Sequence, residues 1–163
     1  LIAPSVRLAT ELGLVGVGVV RFGLAPDGSP WFLGFEPHLP PAVELVERVQ
    51  GVDLVDAEHR AILRQELGWA DADAAVPGRV GVAVTVRATG PGVVTRLDAP
   101  PDAPRAIEVG TEVGPEFDPR LIELAAVGPD LPAARAALVL ALDRVRIEGV
   151  PTDRDDLRNR LRD

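Results

Sequence analysis

Glu36 and His38 are the two residues whose types and spacing come closest to a metal-binding pair in this sequence. They flank Pro37, and an extended segment would direct both side chains to one face. A Glu-x-His pair offers a carboxylate oxygen and an imidazole nitrogen, which divalent ions bind. The alternative is a loop histidine hydrogen-bonded to backbone or solvent, which is the commoner role. His59, at the polar start of a predicted helix, is interpreted as solvated.

Composition excludes several other chemistries. The chain has 163 residues and no Cys, and all 17 of its basic residues are Arg. Without Cys it has no disulfides, thiolate metal sites or thiol nucleophiles. Without Lys, no side chain can form a Schiff base or carry amide-linked biotin. The glycines of segment 16–20 lack the third glycine and the following helix of a dinucleotide-binding fingerprint.

Charge and hydropathy limit the partners that we expect. The net charge is -8, which argues against nucleic acid because phosphates are met by a basic face. No apolar run reaches the roughly 18 residues that a membrane helix needs. The first residues contain neither the cationic region nor the cleavage site of a signal peptide. We therefore expect a cytoplasmic chain with no membrane and no nucleic-acid partner.

The elements around Glu36 are predicted from hydrophobic spacing and turn residues. Apolar groups at helical spacing predict a short helix that ends at Gly13. Pro26, Asp27 and Gly28 favour a tight reversal between two apolar runs, which predicts a hairpin over residues 14–35.

Two helices are predicted after the hairpin. The first covers residues 41–50, with Pro41 in its first turn and Gly51 at its end. The second covers residues 55–69, with Asp56 as its N-cap. A small-residue segment over 70–78 then indicates a domain boundary.

The second half of the sequence alternates short β patterns with turns and ends in two helices. The predicted strands cover residues 80–88, 92–97, 106–113 and 119–128, and the predicted helices cover 131–149, ending at Gly149, and 154–163.

The longer of these helices is apolar nearly all round over residues 136–142, which predicts burial on more than one side. Part of it could pack against another chain. Its apolar stripe is interpreted as core, and consists of Ala136, Leu138, Leu140, Leu142 and Val145.

The order of these landmarks resembles the C-terminal half of biotin carboxylases, the ATP-grasp enzymes of acyl-CoA and pyruvate carboxylases. The resemblance implies an α+β fold. Residues 1–70 would be the tail of an ATP-grasp core, and residues 78–163 a C-terminal domain with a mainly antiparallel sheet and packed helices. The segments that carry the likeness cover residues 16–22, 32–39, 51–55, 116–128 and 133–161.

The resemblance also places the family's metal positions on this sequence. In the family, two acidic residues hold Mg²⁺-ATP, and the aligned positions here carry Arg21 and Gly34. An arginine cannot ligate a metal and would repel it. A metal-binding Asn of the family falls at Glu36, and a neighbouring Arg falls at His38. A register shifted by two residues would instead put Glu36 at the acid and His38 at the Asn.

Two further positions concern bicarbonate and carboxylation. The family's glutamate that helps to activate bicarbonate falls at Ala42, and an arginine close to the carboxylation chemistry falls at Thr85. The motif at residues 51–55, by contrast, matches the family completely. The resemblance therefore implies that the frame residues are retained, whereas the chemically critical positions differ.

These observations predict a catalytically inactive biotin-carboxylase-like module, a pseudoenzyme, with no cofactor and no attached biotin. Its role would be structural, in scaffolding or subunit interaction within a biotin-dependent acyl-CoA carboxylase-type assembly. Other carboxylase subunits or domains are the expected partners, in a homo- or hetero-oligomer. One alternative is part of a working carboxylase whose N-terminal half lies outside this chain and which uses ATP, Mg²⁺ and bicarbonate. Another is an anion-binding module anchored by Arg21 and Arg87.

Overall fold

The computed structural model describes residues 1–40, 42–67, 78–114, 116 and 118–162. The chain divides into two compact units, Leu1–Val76 and Pro77–Asp163, and each is described by itself. Pro41 and most of the predicted boundary segment lie outside the described residues. No helix within the described ranges is long and apolar enough to cross a membrane.

The first unit consists of a helix, a hairpin and two further helices. The predicted helix ends at Gly13, as expected, and the hairpin forms over a narrower range than predicted. It begins only at Val19 because the preceding segment bonds elsewhere: the Val17 N–H donates to Glu58 Oε2 at 2.5 Å. The elements are α1 Ile2–Leu12, β1 Val19–Leu24, β2 Pro30–Glu36, α2 Val43–Gln50 and α3 Leu54–Ile62.

The caps of α3 differ from the prediction. Asp53, not Asp56, is the N-cap, because its extended backbone lets its carboxylate accept the Asp56 N–H at 2.7 Å. Asp56 instead lies in the first turn and forms an ion pair with Arg60. The helix ends at Ile62 and not at residue 69. Two residues later, Arg64 has a left-handed backbone conformation with φ of 54°.

The second unit is an antiparallel α+β structure. Its longest strands, β3 and β7, pair over nearly their full lengths, and two shorter antiparallel pairs, β4–β6 and β5–β8, complete the strands of its described residues. The elements are β3 Val80–Arg87, β4 Gly92–Val93, β5 Arg96–Asp98, β6 Glu112–Val113, β7 Arg120–Gly128, α4 Leu131–Arg144, β8 Arg146–Glu148 and α5 Arg154–Arg162.

The core of this unit lies between α4 and the β3–β7 pair. Leu138, Leu142 and Val145 are fully buried there, at the i, i+4 and i+7 spacing of one helix face. Ala136 and Leu140, predicted as core with them, are exposed because they lie on the opposite face. The apolar stripe is therefore core on one side only.

Two β predictions in this unit were too long. The run over residues 92–97 divides into β4 and β5, and of residues 106–113 only Glu112–Val113 forms a strand. Residues 106–111 form isolated backbone hydrogen bonds instead of a strand, such as the bond from the Ala106 N–H to the Leu121 carbonyl at 3.0 Å. The helix α4 ends at Arg144, not Gly149, because the extended Val145 leads into β8.

Candidate functional site

The hairpin places the two predicted metal positions opposite each other. Arg21 pairs with Gly34, and Val19 pairs with Glu36, across the antiparallel β1–β2 ladder. Directly opposed residues on one face are close enough for their side chains to meet, so acids at both positions could bind one ion. Here the two positions carry a guanidinium group and a hydrogen atom. A Cβ at Gly34 would meet no atom within 4 Å.

Glu36 is the one acidic residue among the predicted site positions, and both of its carboxylate oxygens are engaged. Arg21 Nη2 lies 2.8 Å from Glu36 Oε1, and His38 Nε2 lies 3.1 Å from Glu36 Oε2. The Glu36 side chain is 30% exposed, whereas those of Arg21 and His38 are each 56% exposed. An ion approaching Glu36 would have to displace both neighbours.

The ring of His38 is held by oxygen atoms on both sides. Its Nδ1 lies 2.6 Å from the Leu39 carbonyl oxygen, and its Nε2 faces Glu36. Both ring nitrogens therefore already face an oxygen atom of this chain. A metal ion that bound to either nitrogen would have to displace that contact.

No cluster of three or more His, Cys, Asp or Glu side chains in the described part of the chain is arranged to hold a metal ion. The structure does bring Glu36 and His38 together, as the shifted register required, but as partners of each other. Ala42, at the predicted bicarbonate position, is the N-cap of α2 and contributes no side-chain bond. His59 lies in the last turn of α3 and is exposed, which places it away from the predicted helix start.

Thr85 and Arg87 belong to the second unit. Thr85 lies in β3 opposite Glu123 of β7, and Arg87 ends the same strand with its backbone N–H bonded to Asp153 at 2.7 Å. Thr85 also lines a cavity of about 220 Å³ together with Arg105 and Glu123. This cavity could not be predicted from the sequence, because its walls combine Thr85 of β3, the segment 104–106 and β7, which meet only in the folded unit.

Arg120 lines the same cavity and forms the best-defined ion pair of the second unit. Its Nη2 lies 2.9 Å from Asp118 Oδ2, its Nε lies 3.0 Å from Oδ1, and its backbone N–H also bonds to Asp118. The side-chain hydrogen bond from Arg120, supported by the backbone bond, lowers the pKa of Asp118 to about 2. The Asp-x-Arg spacing was the only sequence signal for this pair.

Comparisons of sequence find several carboxylases. Pyruvate carboxylase 1 of Caenorhabditis elegans is 26% identical over 182 aligned residues, covering 99% of this chain. Human mitochondrial pyruvate carboxylase is 28% identical over 181, and chloroplastic biotin carboxylase 1 of Populus trichocarpa is 26% identical over 164. No family model matches the sequence.

Solved structures give the same result. The biotin carboxylase domain of a single-chain bacterial carboxylase superimposes with a TM-score of 0.87 at 25% identity, over 100% of this chain and 41% of that one. The chain has the fold of the C-terminal part of a biotin carboxylase domain. The urea carboxylase of Kluyveromyces lactis also matches, with a TM-score of 0.87 at 26% identity over 99% of this chain and 15% of that one.

The biotin carboxylase domain of the 2-oxoglutarate carboxylase of Hydrogenobacter thermophilus, solved as a dimer with MgADP, ADP and bicarbonate, shares the fold at 22% identity and a TM-score of 0.90. It extends well beyond the matched region, since this chain covers 38% of it. The same holds for the sequence relatives: the chain spans 15% of the two pyruvate carboxylases and 31% of the plant biotin carboxylase.

The biotin-carboxylase-like motif at residues 51–55 has a structural role in this chain, at the junction between α2 and α3. Gly51 ends α2 with φ of 71°, a left-handed conformation in which its N–H bonds to the Glu47 carbonyl. Asp53 then caps α3, and the Leu54 N–H donates to Glu47 Oε1 at 2.7 Å. The motif therefore fixes the junction between two helices and needs no ligand to account for its retention.

Proposed function

We propose that this chain is part of a biotin-carboxylase-like domain that no longer binds Mg²⁺-ATP and that has a structural role in a carboxylase-type assembly. The observation that carries the proposal is the ion pair between Arg21 and Glu36. It joins, at 2.8 Å, a guanidinium group at a predicted metal position to Glu36, the one acidic residue among the predicted site positions. The carboxylate that could bind a metal ion is thus paired with a cation of the chain itself.

The other predicted positions support the same proposal. Gly34 offers no side chain, Ala42 offers a methyl group, and Thr85 offers a neutral hydroxyl where the resemblance expects an arginine. The ring nitrogens of His38 contact the Glu36 carboxylate and the Leu39 carbonyl oxygen. The motif at residues 51–55 keeps a role that is independent of catalysis. The expected partners are other subunits or domains of a carboxylase.

The decisive experiment transfers the segment into a working enzyme. Residues 18–51 of this chain would replace the aligned segment of the single-chain bacterial biotin carboxylase domain. We expect the chimera to fold but to lose ATP-dependent carboxylation by about 10³-fold or more, because the carboxylates that bind Mg²⁺-ATP are removed. Circular dichroism and the melting temperature would establish that the chimera is folded.

A matched second chimera would carry Arg21→Glu, Gly34→Glu, Glu36→Asn, His38→Arg and Ala42→Glu in the same transferred segment. Recovery of activity in this variant would assign the loss to these five positions rather than to the transfer itself. Activity in the unmodified chimera would contradict the proposal. It would favour a working biotin carboxylase completed by polypeptide outside this chain, a function to which the similarity with pyruvate carboxylases over 99% of the chain also points.

A further inference from the structure

Residues 14–18 connect α1 to β1 and lie in neither a helix nor a strand. We refer to them as the joint segment. Its first residue is fixed by the end of α1, where the Leu14 N–H donates to the Ala9 carbonyl oxygen at 2.9 Å. Two other elements then approach its backbone closely, and each approach occurs at a glycine, namely Gly16 and Gly18.

The helix α3 approaches the joint segment at Gly16. The Val17 N–H donates to Glu58 Oε2 in a partly buried hydrogen bond between residues 41 positions apart. Hydrogen bonds to an ionised carboxylate are stronger than those between neutral groups. Gly16 has φ of 117°, and a Cβ there would lie 2.9 Å from Oε2 and 3.0 Å from Oε1 of Glu58. The carboxylate therefore lies against the Gly16 backbone, and a side chain at this position would displace it.

The strand β2 approaches the joint segment at Gly18. A Cβ at Gly18 would lie 2.8 Å from Phe35 Cε2 and 3.1 Å from Leu14 Cδ2. Phe35 pairs with Val20 in the β1–β2 ladder, so its ring links the joint segment to the hairpin. Within the described ranges of the first unit, no helix packs extensively against β1 or β2. The joint segment, held by Glu58 on one side and Phe35 on the other, therefore connects α3 to the hairpin.

We propose that the hydrogen bond from Val17 to Glu58 is a conformational latch of the first unit. When it is closed, it holds the hairpin that carries Arg21 to α3, and when it opens, it releases the hairpin as one body. The motif at residues 51–55 contributes to the closed state, because Asp53 caps the helix from which Glu58 extends. The inference rests on contacts within the first unit and not on the loss of Mg²⁺-ATP binding, so the chimera experiment can fail without affecting it.

The test is residue-resolved hydrogen exchange of this chain, measured by NMR. Glu58→Ala should accelerate exchange of the Val17 amide and of the β1–β2 ladder amides together, by about tenfold or more, because local opening becomes more frequent. Glu66→Ala, a change at an exposed glutamate of the same unit, should leave these rates unchanged. Acceleration confined to Val17 would overturn the proposal, as would ladder amides that exchange without protection in the natural sequence.

A double-variant cycle separates the latch from backbone strain. Gly16→Ala should open the latch as Glu58→Ala does, because its methyl group displaces the carboxylate. The two changes should therefore accelerate ladder exchange together by much less than the product of their separate effects. Gly13→Ala is the matched control, since Gly13 also has a positive φ, 63°, but a Cβ there would meet nothing within 4 Å. Its effect should multiply with that of Glu58→Ala, and multiplication for both glycines would contradict the latch.

Discussion

The Arg21 guanidinium reaches diagonally across the hairpin to the Glu36 carboxylate, with Nη2 2.8 Å from Oε1. The residue directly opposite Arg21 is Gly34, which leaves the space beside the ion pair open. The hairpin thus has the geometry for two facing side chains, but one position carries the Arg21 guanidinium and the other, Gly34, has no side chain. This arrangement predicts that a cation site could be created by substitution at two positions.

The double variant Arg21→Glu, Gly34→Glu should gain affinity for Mg²⁺. Two carboxylates directly opposite each other repel, which should destabilise the hairpin by about 0.5–1 kcal/mol in the absence of metal. Magnesium ions should remove this repulsion, so the melting temperature of the double variant should rise with millimolar Mg²⁺. Hydrogen exchange of the β1 and β2 amides would localise the effect.

Gly34→Glu alone is the matched control for this prediction. Its carboxylate would face the Arg21 guanidinium and form an ion pair, so magnesium should have no effect on its stability. A magnesium response in the single variant or in the natural sequence as large as that of the double variant would show that two facing carboxylates at positions 21 and 34 are not the source of binding.

The parts of the fold that could be predicted are those whose structure is determined by residues close together in the sequence. The α1 end at Gly13 and the hairpin turn at Gly28 were predicted because a residue with left-handed backbone marks each one. The α3 cap was wrong because Asp53 and Asp56 are both capping residues, and only tertiary contacts decide between them. One such contact is the bond from the Leu54 N–H to Glu47, seven residues earlier.

The candidate site shows the same limit. The sequence placed Arg21 and Gly34 at related positions through family resemblance, and the hairpin register brings them face to face. The contact between Glu36 and His38 follows from their spacing on one side of an extended segment. The cavity beside Thr85 could not be predicted, because it depends on β3, the segment 104–106 and β7, which only the folded unit brings together.

Leu138 and Leu140 should respond very differently to truncation, although they lie only two positions apart in one helix. Leu138 is fully buried against the strands, whereas Leu140 is 62% exposed. Leu138→Ala should lower the free energy of unfolding of the second unit by about 2–5 kcal/mol, since it leaves a cavity in the core. Leu140→Ala should change it by less than about 0.5 kcal/mol.

Hydrogen exchange of the β7 and α4 amides is the suitable measurement for this pair, because both tryptophans of the chain lie in the first unit. A large cost for Leu140→Ala in the isolated chain would mean that the outer face of α4 is packed in solution. That result would contradict the assignment of the helix as core on one side only.

Asp118 should titrate far below an ordinary aspartate. Its pKa is about 2 in the folded chain, against a usual value of 3.8, chiefly because the Arg120 side chain donates hydrogen bonds to it. A lowered folded-state pKa stabilises the fold above the unfolded pKa, and this contribution is lost as the pH falls from about 3.8 towards 2. Carbon-13 NMR titration of the Asp118 carboxyl group measures it directly.

Two arginine variants compare how much Arg120 and Arg87 each contribute to the lowered pKa of Asp118. Arg120→Ala should return the pKa of Asp118 most of the way to its usual value, because it removes the hydrogen bonds from the guanidinium. Arg87→Ala, which removes a weaker and purely electrostatic influence, should raise it less. If Arg87→Ala had the larger effect, the hydrogen-bonded pair would not be the dominant cause.

Gly149 and Gly110 separate the cost of backbone strain from the cost of a steric clash. Both have left-handed backbones, with φ of 88° at Gly149 and 95° at Gly110. A Cβ at Gly149 would lie 2.0 Å from the Val93 carbonyl oxygen, whereas a Cβ at Gly110 would meet nothing within 4 Å. Gly110→Ala should therefore cost only the conformational strain of about 1–2 kcal/mol.

Gly149→Ala should cost about 3 kcal/mol or more, because β8 and the strand at Val93 must move apart in addition. The free energies would be read from denaturant-dependent hydrogen exchange of the second unit's amides. The difference between the two variants isolates the close backbone approach that joins β4 to the turn after β8. Similar costs for both alanines would mean that this approach is looser in solution than a 2.0 Å contact allows.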